Sequence, residues 1–195
     1  MYRKLKKIFF VLTVTLTFSF SLMAQKVAVK TNLAYLAVGA SPNLALEFAL
    51  GNKVTLEAGG GLNLWTFDDN KKVKHWLVQP ELRYWFCESF NGHFIGLHGH
   101  GAQFNVSNWN IPVGRLDILK EKRYEGYLYG AGLSYGYQWM LSNRWNLELS
   151  LGAGFAQIKY DKFDGPYFCG QKLDEGTYNY WGVTKAALSF IYFFK

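Results

Sequence analysis

From Val27 onward, apolar and polar residues alternate with a period of two, and clusters of turn-forming residues break the alternation into segments. In 43–50, Leu44, Leu46, Phe48 and Leu50 alternate with Asn43, Ala45, Glu47 and Ala49. In 144–160, Leu147, Leu149, Leu151, Ala153 and Phe155 oppose Glu148, Ser150, Gly152 and Gly154. Eight such segments predict strands at 27–37, 43–50, 53–67, 73–86, 93–106, 124–141, 144–160 and 182–194. The first puts Val27, Val29, Leu33 and Tyr35 on one face, with Lys30 and Asn32 on the other. In the fourth, Trp76, Val78, Pro80, Leu82, Tyr84 and Phe86 face away from Leu77, Gln79, Glu81, Arg83 and Trp85. Pro80 withholds a ladder donor, which predicts a local bulge. The fifth segment, 93–106, alternates too irregularly for its faces to be assigned.

An even set of alternating strands with small residues opposite large apolar ones predicts an all-β fold, an eight-stranded antiparallel up-and-down transmembrane barrel whose narrow lumen is filled by side chains. The segments are about as long as or longer than a tilted crossing, which takes about 9–11 residues. The connections alternate in length. Those at 51–52 and 142–143 are tight and 87–92 is short, whereas 68–72 is moderate and 107–123 and 161–181 are long; of the outer set only 39–42 is short. Short turns on one side and long loops on the other are the habit of membrane barrels, and they place both termini on the periplasmic side. Leu188, Phe190, Tyr192 and Phe194 put large apolar side chains at every second position of the last strand. This is the pattern expected of a terminal signal read by barrel-assembly machinery.

The start of the chain changes the picture of its destination. Residues 1–7 are basic, IFFVLTVTLTFSFSL follows at 8–22, and Ala24 precedes a polar stretch. These are the three parts of a signal peptide at 1–24, leaving a barrel domain at 25–195. The apolar run falls short of the roughly 20 residues of a spanning helix. The formal charge of +7 is then misleading, because four basic residues lie in the signal and the remainder carries 17 basic against 14 acidic residues. That balance gives no basic patch for nucleic acid.

Within the barrel, Lys30, Glu47, Glu57, Glu81, Arg83, Glu148 and Lys185 all fall opposite the apolar stripe. Buried charges must be paired, so these seven residues predict a lumenal polar network, read as a structural plug in preference to a gated pore. Cys87 and Cys169 lie at opposite ends of the barrel in this topology. The apolar band of about 25 Å between them exceeds the reach of a disulfide, so two free thiols are expected. His98 and His100 share a face and would begin a metal site, but no further ligands are identifiable and no metal or other cofactor is expected. Ser107, His75, Asp68 and Asp69 fall near the outer rim without the spacing of a nucleophile, base and orienting group. No catalytic residue is assigned. The loops 107–123 and 161–181 mix aromatic and charged residues, and long loops on a rigid scaffold usually carry function.

Four stretches carry a family resemblance: KTNLAYLAVGASPNLALEFALGNK, KHWLVQPELRYWFCESFNGHFIGLHGHGAQFNV, RYEGYLYGAGLSYGYQW and RWNLELSLGAGFAQIKYDK. They resemble the DUF3575 family of uncharacterised Bacteroides-type envelope proteins. The resemblance implies an outer-membrane barrel, from a phylum in which such genes often lie near fimbria or surface-adhesin genes, and brings no catalytic residues with it. The last outer loop of the family usually holds more cysteine than the lone Cys169 found here. The expected role is structural or surface-binding. The expected partners are outer-membrane lipid and lipopolysaccharide, the assembly machinery, and a surface protein or glycan met by the outer loops. Two alternatives are an outer-membrane enzyme acting on lipid or peptide, and an exported lipocalin-like barrel with a small ligand inside.

Overall fold

The computed structural model describes residues 26–37, 40–66, 72–107, 122–164 and 170–194. They form β1 (Val27–Asn32), α1 (Leu33–Ala37), β2 (Asn43–Ala49), β3 (Val54–Asn63), β4 (Lys72–Trp85), β5 (Gly92–Ser107), β6 (Lys122–Met140), β7 (Trp145–Asp164) and β8 (Lys172–Phe194). Each strand pairs antiparallel with the next, and β8 returns to β1 from Val27↔Phe194 to Asn32↔Ser189. The sheet therefore closes as an up-and-down barrel. The segment read as a signal peptide lies outside the described residues.

The two faces follow the sequence alternation. Leu133 is 68% exposed on the outer face, while Glu47 and His98 on the inner face are 0% exposed. The faces of β5 resolve as Phe94, His98, His100 and Ala102 inside, with Ile95 and Leu97 outside. Glycines at 96, 99 and 101 had blurred that pattern by presenting no side chain to read. At Gly96 the absence of a side chain is required, because a Cβ there would collide with the Glu81 carboxylate and the Ser134 hydroxyl.

Several elements differ from expectation. The first strand stops at Asn32, and Leu33 and Tyr35 belong to a helix. The Asn32 side-chain carbonyl accepts from the amides of Ala34 (3.1 Å) and Tyr35 (3.3 Å). It is the helix cap, and asparagine prefers that role to a strand interior. Tyr35 consequently turns inward over Gly61 and hydrogen-bonds His75, instead of sharing the outer face with Val27 and Val29. β1 and β2 have 6 and 7 residues, fewer than a tilted crossing takes. No bulge forms at Pro80. It pairs with Ala58 on β3, and the ladder to β5 skips Gln79 and Pro80 before resuming in the same register. The shifts lie in the β7–β8 ladder, between Gly152 and Ala153 and again between Lys162 and Phe163. The first leaves Thr184 as an extra residue. β7 and β8 also run on to Asp164 and from Lys172, so most of the expected loop 161–181 is paired strand.

At the end holding the termini and the short turns, Ala28, Trp85, Phe90, Phe94 and Ile191 form an apolar plug, with Ala49 and Phe193 against it. Phe90 comes from the β4–β5 turn and sits at φ 68°, a strained value for a bulky residue. Burial to 3% exposure and a ring contact with Trp85 at 6.0 Å hold it there. The Ser89 hydroxyl donates to Gly51 O (2.6 Å), tying this turn to the neighbouring one.

Candidate functional site

All seven predicted lumenal charges meet in one layer above the plug. They come from six strands, and the shared height follows from the register: Glu47 stands opposite Glu57, and Glu57 opposite Glu81. Arg83 is the hub. Its Nη1 lies 3.0 Å from Glu47 and 2.9 Å from Glu148, Nη2 lies 2.7 Å from Glu57 and 3.1 Å from Glu148, and Nε donates to Glu81 at 3.1 Å. Lys30 sits 2.6 Å from Glu148 and 3.1 Å from Glu57 and also contacts Glu47. Lys185 bridges Glu57 (3.1 Å) and Glu81.

Neutral groups complete the layer. The Ser134 hydroxyl donates to Glu81 (2.7 Å), and the Thr55 hydroxyl donates to Glu47. Trp85 Nε1 donates to Thr55 Oγ1 (2.9 Å), joining the charged layer to the apolar plug. The Arg83 guanidinium also lies 4.4 Å from the Phe94 ring centroid. Trp85, Thr55 and Ser134 were legible only as inward-facing positions; their roles as donors depend on register. The network is built to be mutually satisfied, as charges in a low-dielectric interior must be. Two filled layers, one charged and one aromatic, close the lumen.

His98 and His100 stand just above, with ring centroids 5.7 Å apart. His98 Nε2 hydrogen-bonds Thr184 Oγ1 (2.9 Å), a contact made by the bulge residue. Among the described residues, no group of three or more His, Cys, Asp or Glu side chains is placed to hold a metal. Cys87 is an exposed free thiol in the β4–β5 turn, and Cys169 lies outside the described residues. Ser107 is buried at the end of β5, and His75 is engaged by Tyr35 and by the Val73 carbonyl. Asp68 and Asp69 lie outside the described residues, as does 108–121, most of the first long loop.

On the side opposite the short turns, β4 to β8 rise past β1 to β3 as a sheet. The register sets two rows across it: Gln103, Tyr127, Lys159 and Thr177, then Asn105, Glu125, Asp161 and Glu175. Asn105 Nδ2 donates to Glu125 (2.7 Å), and Lys172 joins Asp161 (2.9 Å) to Glu175 (2.7 Å). A cleft of about 560 Å³ runs along these rows and includes Tyr127, Lys159 and Tyr160. The arrangement offers aromatic faces beside carboxylates, an amide and an ammonium on a rigid support.

Among known families, the model of DUF3575, described as a protein of unknown function, matches residues 8–194. No curated protein matches the chain.

Proposed function

The chain belongs to the DUF3575 family, and from that premise we propose that it is an integral outer-membrane barrel, plugged rather than open, that recognises a surface partner through its raised outer sheet and the adjoining 108–121 segment. The observation that carries this reading is the polarity of the wall. Carboxylates, lysines and an arginine lie inside, while Leu97, Leu133, Leu149 and Leu151 are each more than half exposed outside. An exterior of that kind suits lipid, in which only a closed sheet satisfies its backbone. Exposed aromatics flank the leucines on both sides. Tyr84, Trp139 and Trp145 lie toward the short-turn end, and Trp76, Tyr127, Tyr129 and Trp181 toward the other. Such belts fit the two membrane interfaces. The lipocalin-like alternative calls for the opposite polarity, apolar inside and polar outside.

The raised sheet supports the recognition part. Its groups are held by strand pairing instead of a mobile loop, which lowers the ordering cost of binding. The partner class is a surface protein or glycan. Deleting 110–120 should leave the barrel folded while abolishing retention on a glycan array or surface-protein panel that holds the parent chain. Equal retention by the deletion variant would remove the loop from the binding surface. Turnover of lipid or peptide by the purified protein would favour the enzyme alternative.

A further inference from the structure

Above the charged layer the wall is incomplete on one side. The β1–β8 ladder ends at Asn32↔Ser189, and among the described residues β8 has no strand partner on that side toward its start. Side chains stand in for the missing strand. Asn32 Nδ2 donates to Ala186 O (3.2 Å), and its Oδ1 accepts from the Leu188 amide (3.2 Å). Further up, Gln79 Nε2 donates to Thr184 O (3.4 Å). The seam therefore stays open without leaving these backbone groups unsatisfied, which is the condition for a gap facing lipid.

A cavity of about 230 Å³ occupies this gap. Ala45, Gly59, Leu77 and Ala187 line it from the lumenal face, and Leu44 and Ala186 from the outer face. Residues of both faces therefore border it at the seam. Its surroundings outside are apolar: Leu33 and Leu36 of α1, which packs against β8, are exposed, as are Leu44 and Val183.

Most of the polar side chains around the cavity are already engaged by the protein. Asn43 exchanges hydrogen bonds with the Asn32 backbone (2.6 and 3.0 Å), Tyr35 bonds His75, Thr184 bonds His98, and Lys30, Glu57 and Lys185 bind one another's layer. An ordered water needs two to four polar partners, whereas an apolar cavity of about 150 Å³ already accepts a molecule the size of benzene. Between these engaged groups the lining is glycine, alanine and leucine, which suits a narrow, flexible, apolar occupant.

We propose that this seam cavity binds a hydrocarbon chain that enters sideways from the bilayer, the acyl chain of a membrane lipid or of a free fatty acid. The inference rests on the membrane reading above. The test uses barrel purified from membranes of cells expressing the full chain and placed in vesicles containing a phospholipid with a diazirine at the chain end. After irradiation, labelled residues are mapped by peptide mass spectrometry. Labelling of the inward-facing Leu77 and Ala187, in addition to the outer Leu133 and Leu151, is the expected result. Filling the cavity by Gly59→Leu or Ala45→Phe should abolish the inward labels and leave the outer ones. A side chain at Gly59 starts in ordinary contact, 3.4 Å from Ala45 and from the Gln79 carbonyl, and retained outer labelling confirms folding of either variant. A parallel arm supplies a free fatty acid with the same diazirine; inward labels in that arm alone would assign the chain to the free acid. Outer labels without inward labels from either source overturn the proposal while sparing the membrane reading. Absence of outer labels overturns both.

Discussion

At Arg83 one planar guanidinium faces four carboxylates, each within 3.1 Å, in a side chain that is 1% exposed. Replacing it by methionine leaves Glu47, Glu57, Glu81 and Glu148 with only two lysines. Removing one partner from a buried ionic set costs about 3–5 kcal/mol, and Arg83→Met should lower stability by that order in urea unfolding of the vesicle-bound barrel. Arg83→Lys should fall between the two, because an ammonium keeps the charge but cannot serve the fork. Equal stability of parent and Arg83→Met would show that the layer is not held as described. Membership of this layer was readable from period-two alternation alone, since all seven residues sit opposite the apolar stripe. Who pairs with whom was not, because it depends on registers between strands far apart in sequence. Phe90 was equally hidden: nothing local announces that a turn phenylalanine will adopt a positive φ and fold back into the barrel.

Among the elements, strand existence and order followed from alternation and turn chemistry, and strand ends did not. Asn32 continues the alternation of β1, yet its carboxamide ends the strand by capping α1 and by standing in for a ladder residue against β8. The extensions of β7 and β8 were hidden because Lys162, Asp174 and Glu175 read as loop residues when only one strand is considered. Across the ladder Lys162 faces Tyr124 and Asp174, and Glu175 faces Asp161, as paired positions. Asn32→Ala isolates the double role. Loss of the cap alone costs about 0.5–2 kcal/mol, and loss of the edge contact should speed hydrogen exchange at the Leu188 amide while the Leu149 amide, on β7 in the closed part of the sheet, keeps its protection. Unchanged exchange at Leu188 would mean that the side chain does not hold the seam.

For the whole molecule, the charged layer and the aromatic plug together predict a barrel without a conducting path. An eight-stranded lumen has room for side chains and little else, and here Trp85, Phe94, Arg83 and Glu148 are each at most 1% exposed within it. Planar bilayers containing the purified protein should stay at baseline current across applied voltages. Discrete, reproducible conductance steps would show that the two layers part. The central claim, however, is the inverted polarity of the wall and the lipid environment it implies. Its most direct test is fractionation of cells expressing the full chain, followed by gel migration of the membrane fraction with and without boiling. The account predicts a band in the outer-membrane fraction, resistant to extraction by alkaline carbonate, whose mobility shifts on heating as the closed sheet opens. A protein recovered in the soluble fraction with no heat-dependent shift would contradict it.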